Sequence, residues 1–314
     1  MSLETFTFGD PLPAIDQRDI MGLFHSAWSG KWYEPPMSFE GLAKALNSNP
    51  HHQSAIHYKA SLLASRFRPS RLLSRQDFRR LALDFLVLGN AWVERRQNRL
   101  GSTLRLQPTV GRWTRVTRDG AVVLHEGQDY AIRAPHVLHL MNIDIHQEIY
   151  GMPDYTAALQ SAFLNEAATL FRRRYYLNGT HAGFILYISD PLNSQDDVEK
   201  LRDQMKGAKG IGNFKNMLLY APSGKKDGVQ LIPISEVAAK DEFFSMKNVT
   251  RDDILAAHRV PPQLLGIVPS NAGGFGSVEN AAAVFIDNEI KPLMTAFEVV
   301  NDWCGEQAVA WIEA

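Results

Sequence analysis

The apolar residues between Asp241 and Arg259 follow a regular spacing. Apolar side chains recur there every three to four positions, and most charged residues fall between them. This spacing gives a helix one apolar face and predicts an amphipathic α-helix. Pro261 restricts Val260 to extended backbone, and Pro262 has no backbone N–H to donate. The helix is therefore predicted to end just before the two prolines.

A glycine-rich break follows, and the helical pattern then resumes. The stretch Gly273–Gly276 offers few side chains to hold it in one conformation. Ser277 is an imperfect helix cap, and from Val278 the helical spacing returns. Pro292 is predicted to bend or interrupt this second helix. Two helices joined by a mobile loop are therefore predicted here.

Two more helices are predicted in the N-terminal half. One covers residues 39 to 65 with an interruption at Asn47–Pro50, and the other runs from about Ser74 to Gly89. Residues 1 to 40 combine prolines with aromatic residues such as Trp28 and Trp32, which indicates an extended arm. Such an arm packs either on a neighbouring subunit or on its own core, and both alternatives stay open.

Between Ala91 and His146 the apolar residues follow the pattern of β-strands. Short strands separated by turns such as Arg118–Gly120 predict a small antiparallel sheet. His136 and His139 stand three residues apart, so on a strand they point to opposite faces. Sharing a metal ion would require a third ligand and a bend.

A long apolar helix is predicted from Asp154 to Leu177. Three arginines occupy its last turns, where positive charge opposes the helix dipole favourably. They either serve that structural purpose or contact a neighbouring subunit or nucleic acid.

A compact α/β insertion is predicted between this helix and the one at Asp241. It has strands at Gly183–Ser189, Asn216–Tyr220 and Val229–Ile234, and a charged helix at Asp196–Lys206.

Composition permits a sizeable core and argues against several classes of protein. The chain has 314 residues, of which 45% are hydrophobic, and this length suggests roughly two domains of ~150 residues. Cys304 is the single cysteine, so no intrachain disulfide can form. No apolar run approaches the roughly 20 residues needed to cross a bilayer, and nothing resembles a secretory signal. A soluble protein of a reducing compartment is expected.

The charges are nearly balanced, with 33 Lys and Arg against 34 Asp and Glu. Tight nonspecific DNA binding is therefore not expected, because proteins that neutralise phosphates usually carry an excess of base. Arginines are nevertheless concentrated between Arg66 and Arg118. That segment forms either a solvated or intersubunit face or, as the less favoured alternative, a nucleic-acid patch.

No catalytic constellation emerges, since HExxH, GxSxG and CxxC motifs are all missing from the sequence. Gly224–Lys225 superficially resembles a phosphate loop, but Leu219 replaces its first glycine and Lys226 its final Ser or Thr. An enzyme is thus the weaker hypothesis, and no cofactor or metal is expected. Two alternatives stay open. One is a nucleic-acid-binding module. The other is a metal-dependent DNA-processing enzyme that uses His51, His52, His57 or the pair His136 and His139.

Several compositionally unusual strings follow one another along the chain. FTFGDP stands near the start, WYEPP near residue 32, HHQSAIHYK at 51 and LGNAWVE at 88. Two longer strings follow, IYGMPDYTAALQSAFLNEAATLFRRRYYLNGTHAGFILYISD from 149 and TRDDILAAHRVPPQLLGIVPSNAGGFGSVENAAAVFIDNEIKPL from 250. In this order they resemble the phage portal proteins of the PBSX and P2-like group, over essentially the whole chain.

The resemblance implies the α+β portal fold, which has an α/β wing, long stem helices, a small α/β clip and a channel-facing tunnel loop. Because the sequence stops at Ala314, the helical crown is expected to be reduced or absent. Motif order assigns 1–153 to the arm and wing, 154–180 to the first stem helix, 181–237 to the clip, 238–262 to the second stem helix, 263–277 to the tunnel loop and 278–314 to the wing helix and short C-terminus.

The resemblance also implies a function without catalysis. Such proteins form a ring, typically a dodecamer, at one capsid vertex of a tailed phage or prophage, and double-stranded DNA passes through it during packaging and ejection. The implied partners are other copies of the chain, DNA, terminase, capsid and scaffold proteins, and head-completion or tail proteins. No membrane is involved. The implied location is the virion, after assembly in the cytoplasm of the bacterial host.

Motif position implies four sets of site residues. The tunnel loop would contain Ser270, Asn271, Ala272, Gly273, Gly274, Phe275 and Gly276. The channel-facing stem would present Asp241, Glu242, Lys247, Arg251, Asp252 and Asp253, whose acids are expected to keep DNA from sticking. The subunit interface would use Arg172, Arg173 and Arg174. The clip would dock terminase through Lys206, Lys209, Lys215, Lys225 and Lys226.

Overall fold

A computed structural model describes residues 26–125, 128–177, 184–188, 217–220, 229–233, 237–267 and 277–312. Its contacts divide the chain into two units. The smaller unit includes Leu164–Val249, and the larger unit is formed by Ala14–Phe163 together with Thr250–Ala314. The larger unit is thus built from two segments that are distant in sequence.

Local capping sets the first three described helices, α1 (Phe39–Ala45), α2 (Pro50–Arg66) and α3 (Arg75–Leu88). The side chains of Ser38, Asn49 and Ser74 each accept hydrogen bonds from backbone N–H groups of the first helical turn. Gly89 ends α3 in the left-handed conformation, with a φ of 67°. The predicted interruption before Pro50 and the predicted helix from Ser74 to Gly89 are confirmed.

The following strands form two antiparallel sheets, whereas the sequence predicted one. The strands are β1 (Asn90–Gln97), β2 (Thr103–Pro108), β3 (Thr114–Thr117), β4 (Gly120–Val123), β5 (Tyr130–Arg133) and β6 (Val137–Met141). The strand orders are β2-β1-β6 and β3-β4-β5. Strand β5 escaped prediction because Ile132 is its one buried residue, which leaves no alternation to detect.

Strand β1 lies at the centre of the first sheet. At one of its ends Asn90 pairs with Met141 of β6, and at the other end Gln97 pairs with Thr103 of β2. The turn between β1 and β2 and the loop after β6 therefore leave the sheet at opposite ends of β1.

Two glycines allow the chain to cross itself beside this sheet. A β-carbon on Gly89 would lie 2.4 Å from the carbonyl carbon of Met152, and one on Gly151 would lie 2.2 Å from the carbonyl oxygen of Gly89. The buried Asn90 side chain spans the crossing, donating to the carbonyls of Leu88 and Gly151 and accepting from the Gly151 N–H, each at 2.7 Å. The end of α3 is thereby fixed to the segment that precedes the next helix.

Aromatic side chains fill the core of the larger unit in two clusters. In the first, Phe67 stacks on Phe78 at 4.2 Å between ring centroids, and Phe297 meets Phe78 edge-on at 5.2 Å. In the second, the ring of Phe39 packs edge-on against Trp92 and Tyr150. These contacts join helices and strands that are distant in sequence into one unit.

The long apolar helix, α4, spans Leu159–Leu177. Its predicted start at Asp154 is wrong, because a separate 3₁₀ turn at Thr156–Ala158 precedes it. The helix continues to Leu177, the last residue described in this part of the chain.

The smaller unit contains a sheet of β7 (Phe184–Ile188), β8 (Met217–Tyr220) and β9 (Val229–Pro233). Strand β7 pairs in parallel with β8 and antiparallel with β9, which confirms three of the predicted elements of the insertion. The helix predicted at Asp196–Lys206 lies outside the described residues.

Helix α5 spans Val237–Ala257 and stops before the two prolines, as predicted. A 3₁₀ helix, Pro262–Leu265, follows it and packs against α6 (Val278–Phe285). Ser277 caps α6 by accepting a hydrogen bond from the Asn280 N–H at 3.2 Å.

The second helical pattern is interrupted in the structure by a π turn at Ile286–Ile290, after which α7 spans Lys291–Cys304. Pro292 has no N–H, and its ring would clash with the carbonyl four residues earlier in a continuous α-helix. The predicted interruption at this proline is therefore confirmed. Among the described helices, none is both long and apolar enough to span a membrane.

Candidate functional site: a buried ion-pair cluster

Helix α5 ends in a turn that places an arginine in an unfavourable backbone conformation. The Val260 N–H bonds to the Leu255 carbonyl at 3.0 Å, and the Arg259 N–H bonds to the Ala256 carbonyl at 2.9 Å. This pair of bonds is the Schellman motif, whose left-handed position usually holds glycine. Arg259 occupies it with a φ of 54°, at a cost of roughly 1–2 kcal/mol for an L-residue.

The side chain of Arg259 makes contacts that help to offset this backbone cost. Its Nη1 atom lies 3.1 Å from Oε2 of Glu289 and 3.6 Å from Oδ2 of Asp154. The hydrogen bond and the charge of Glu289 raise the pKa of Arg259. Strained residues of this kind are often found at functional sites, which makes this turn a candidate.

Glu289 also pairs with a lysine inside the core. Nζ of Lys59 donates to Oε1 of Glu289 at 2.5 Å, and each of the two side chains is only 4% exposed. Burial lowers the pKa of Lys59, while the charge and hydrogen bond of Glu289 oppose that shift. Removing Glu289 would leave Lys59 charged and unpaired in the core, whereas removing Lys59 would leave Glu289 with Arg259 as its remaining partner.

Lys59, Asp154, Arg259 and Glu289 together form what we call the ion-pair cluster. Lys59 comes from α2, Asp154 precedes α4, Arg259 follows α5, and Glu289 lies in the π turn. π turns occur frequently at functional sites. The glycine-rich segment lies within the stretch of chain from Arg259 to Glu289. Because both of these residues belong to the cluster, the cluster holds both ends of that stretch.

A buried histidine pair lies beside the cluster. Nδ1 of His52 and Nε2 of His258 are 2.8 Å apart, and the ring of Tyr155 packs against both imidazoles. The Tyr155 hydroxyl donates to the carbonyl of Val87. Burial lowers the pKa of both histidines, and the nearby charge of Lys59 lowers that of His258 further. The pair is therefore neutral at pH 7.

Four of the six predicted channel residues have described side chains. Nζ of Lys247 donates to Oγ1 of Thr169 at 2.9 Å, within the smaller unit. In the larger unit Nε of Arg251 lies 2.8 Å from Oδ1 of Asp252, and Asp253 accepts a hydrogen bond from Ser161 at 3.1 Å.

The other predicted site residues are only partly described. Arg172 and Arg173 are exposed near the end of α4. The side chains of Arg174, Asp241 and Glu242 are not among those described, and the same is true of the whole tunnel-loop set (270–276) and of the five clip lysines, Lys206, Lys209, Lys215, Lys225 and Lys226.

The histidines considered as metal ligands have other surroundings. The His139 ring stacks on Trp92 at 4.4 Å and bonds to Oδ1 of Asn90, and burial lowers its pKa to about 3. His136 lies in the exposed turn before β6. Within the described ranges, no group of three or more His, Cys, Asp or Glu residues is placed to hold a metal.

Sequence reasoning missed the ion-pair cluster, although a signal was present. Lys59 lies three residues after Ile56 and four before Leu63, on the apolar face of α2, and Glu289 lies four residues after the buried Phe285. A charged residue at a core position of a helix indicates a buried ion pair. The identity of the partner required the tertiary structure.

Structural comparison defines the class of protein. The fold is similar to that of a HK97 family phage portal protein from Corynebacterium diphtheriae, with a TM-score of 0.62, 14% identity, and coverage of 86% of this chain and 94% of that chain. It is also similar to a chain in the neck of a native gene transfer agent (GTA) particle computed with C12 symmetry, with a TM-score of 0.60, 17% identity, and coverage of 86% and 83%. The α+β fold is therefore that of phage portal proteins.

Sequence comparison then shows the family. The phage portal protein family model matches residues 45–305. The chain is 47% identical to the probable portal protein of Escherichia phage P2 over 310 residues, which is 98% of this chain and 90% of that protein. The chain belongs to the phage portal protein family, and the P2-like character of its motifs is confirmed.

Proposed function

We propose that copies of this chain assemble into a closed dodecameric ring at one vertex of the head of a tailed phage. Double-stranded DNA passes through the ring during packaging and ejection. The observation that carries this proposal is membership of the portal family. The similarity in fold to a chain solved in a neck of C12 symmetry supports the number of copies.

The proposed division of labour follows the helices and strands. Residues up to Pro153 supply the arm and wing. Helices α4 and α5 form the stem, the sheet β7 to β9 belongs to the clip, and residues 263–277 contain the tunnel loop. Helices α6 and α7 return the chain to the wing. The ion-pair cluster supports this division, because it links residues next to both stem helices to the wing helix.

Acidic side chains of α5 keep DNA from adhering to the channel. Arg251 is 17% exposed, whereas its neighbour Asp252 is 59% exposed, and Asp253 is also exposed. The charges that reach solvent at this turn are therefore mainly negative. Because each cation that holds a phosphate adds to affinity, an acidic surface favours sliding over retention.

Replacing Asp252 and Asp253 by asparagine tests this role without changing side-chain volume. We expect the amount of nuclease-protected DNA per particle to fall several-fold, because phosphates would no longer be repelled. The matched control is Asp287→Asn, which removes a carboxylate of 59% exposure from outside α5. Unchanged packaging and DNA retention in the double variant would show that these acids do not act on DNA.

Ring formation is tested by mass measurement and negative-stain imaging of the purified protein. A ring with a central hole supports the proposal. A monomer under all assembly conditions would overturn it.

The remaining roles concern partners and place. The ring docks terminase, contacts capsid and scaffold proteins, and later binds head-completion or tail proteins. It works in the virion after assembly in the bacterial cytoplasm, and as a structural component rather than an enzyme.

The docking role of the clip is tested by measuring the binding of terminase to purified rings. The wild type is compared with a double variant that carries Lys225→Glu and Lys226→Glu. Equal binding by both proteins would exclude these two lysines.

A further inference from the structure

Two turns of the sheet β2-β1-β6 display the most exposed large apolar side chains of the described residues. Leu100, between β1 and β2, is 91% exposed, and Ile143 and Ile145, after β6, are 90% and 93% exposed. Single exposed apolar residues are common on protein surfaces. Here, however, nearly complete exposure is concentrated in two turns of one sheet.

The turn between β1 and β2 is ordered and basic. The Asn98 side chain accepts hydrogen bonds from the N–H groups of Leu100 and Ser102, both at 2.9 Å, and Gly101 adopts a φ of 82°. Arg99 is exposed and makes no ion pair with any described residue. We call residues 98–102 the basic turn.

The loop after β6 is ordered as well, but acidic. Asp144 bridges to Gln147, and its Oδ1 atom accepts from the His146 N–H at 2.8 Å. The Asn142 side chain ties the start of the loop to the carbonyl of Met152 at 2.8 Å. With Asp144 and the exposed Glu148, residues 142–148 form what we call the acidic loop.

The two surfaces lie at opposite ends of β1. Gln97 at one end leads into the basic turn, while Asn90 at the other end pairs with Met141, which leads into the acidic loop. A strand of this length separates them by roughly 23 Å at 3.3 Å per residue. They therefore point away from each other and cannot meet within one copy.

We propose that the basic turn of one copy packs against the acidic loop of the next copy. A ring of identical subunits needs a heterologous interface, in which two different surfaces of each copy are complementary. These turns meet that requirement, because they are opposite in charge, both apolar at the tip, and located at opposite ends of a rigid sheet. The inference rests on the ring proposed above.

A second copy explains both surfaces better than DNA does. Phosphates would be repelled by Asp144 and Glu148, and the aliphatic tips offer no hydrogen-bond donor to a phosphate. Contact with another copy buries Leu100 and the two isoleucines, and it also gives Arg99 a carboxylate partner.

Two variants each remove one surface and leave the other intact. The turn variant carries Arg99→Gln and Leu100→Ser, and the loop variant carries Ile145→Ser and Glu148→Gln, so that neither altered surface gains a charge. All four residues are exposed, so the fold is expected to persist and is checked by thermal unfolding. A control variant carries Arg133→Gln and Val284→Ser, which make similar changes at other exposed positions.

Assembly is measured by mass photometry across a concentration series. For each variant alone, we expect the concentration of half-assembly to rise by at least about tenfold, while the control behaves as wild type. Mixed in equal amounts, the two variants should form dimers, because one intact turn can still meet one intact loop. The dimer should not grow, since its two remaining surfaces are both altered.

The outcomes separate this inference from the ring itself. If the wild type forms rings and either variant does so equally well, or if the mixture gives no dimers, the proposed contact is wrong while the ring stands. The same conclusion follows if the control loses assembly to the same extent. A wild type that never forms rings overturns both proposals.

Discussion

Two ion pairs whose carboxylates lie in the same π turn differ in burial far more than in geometry. Nζ of Lys59 lies 2.5 Å from Glu289 and Nζ of Lys291 lies 2.7 Å from Asp287, yet the side chains are 4% exposed in the first pair and 63% and 59% exposed in the second. Asp287 and Glu289 are only two residues apart. Their distances alone would suggest pairs of similar importance.

The difference in burial makes the two ion pairs contribute differently to stability. The exposed pair exchanges strong hydration for a screened attraction, and such pairs contribute about 0–1 kcal/mol. In the buried pair each charge has lost its water, so each depends on its partner. The comparison shows that the ion-pair cluster constrains the structure through the penalty for breaking it, rather than through a large net gain.

Removing one charge of the buried pair is expected to have the largest effect on the stability of the protein. Lys59→Met leaves the Glu289 carboxylate buried beside Arg259 alone, and we expect a loss of roughly 3–5 kcal/mol in the free energy of unfolding. Urea denaturation of the purified protein measures this loss. Asp287→Asn, the exposed counterpart, should change stability by less than about 0.5 kcal/mol.

A double variant tests whether the loss comes from the buried Glu289 carboxylate that has lost Lys59. Lys59→Met with Glu289→Gln removes both buried charges and keeps a hydrogen-bond acceptor for Arg259. It should be more stable than Lys59→Met alone. A double variant as unstable as the single one would mean that packing, and not charge, causes the loss.

A decrease in pH is expected to have the next largest effect on stability, through the histidine pair. Burial holds the pKa of His52 and His258 below the usual value, so the unfolded chain binds protons first as the pH falls through about 6.5. Their contribution to stability is complete above that pH and is lost below it. Between pH 7 and 5.5 we expect a decrease of roughly 1–3 kcal/mol.

Urea titrations at several pH values measure the decrease. His258→Asn should reduce the pH dependence, whereas His136→Asn, at an exposed position, should leave it unchanged. An equal pH slope in the wild type and His258→Asn would exclude the buried pair as its source.

Relieving the left-handed backbone conformation of Arg259 is expected to have the smallest effect on stability. Arg259→Ala and Arg259→Gly both remove the contacts with Glu289 and Asp154, but only glycine relieves the left-handed conformation. We expect the glycine variant to be more stable than the alanine variant by about 1 kcal/mol, measured by urea denaturation. Equal stabilities would mean that the turn relaxes when the arginine is removed.

Local signals made much of the fold predictable from sequence. Caps at Ser74 and Ser277, the glycine at position 89 and the prolines at 261 and 292 act within a few residues, and the structure places helix boundaries at each of them. Strand β5 gave no such signal, because its register depends on pairing with β4 rather than on its own pattern.

The ion-pair cluster was beyond sequence reasoning for a different reason. Lys59 and Glu289 are 230 residues apart, and a lone charge on an apolar helical face does not identify its partner. The histidine pair is similar, since His52 and His258 are 206 residues apart. Motif resemblance identified the family, but it did not identify these contacts.

The crossing of Gly89 and Gly151 has a consequence for how portal sequences can diverge. Because a β-carbon at either position would collide with backbone atoms of the other segment, even alanine is excluded at both. A substitution at one glycine cannot be compensated by a later substitution elsewhere, because the atoms that the new β-carbon would meet belong to the main chain. Relatives that keep this crossing are therefore expected to keep both glycines, while the exposed turns of the same sheet remain free to vary with their partners.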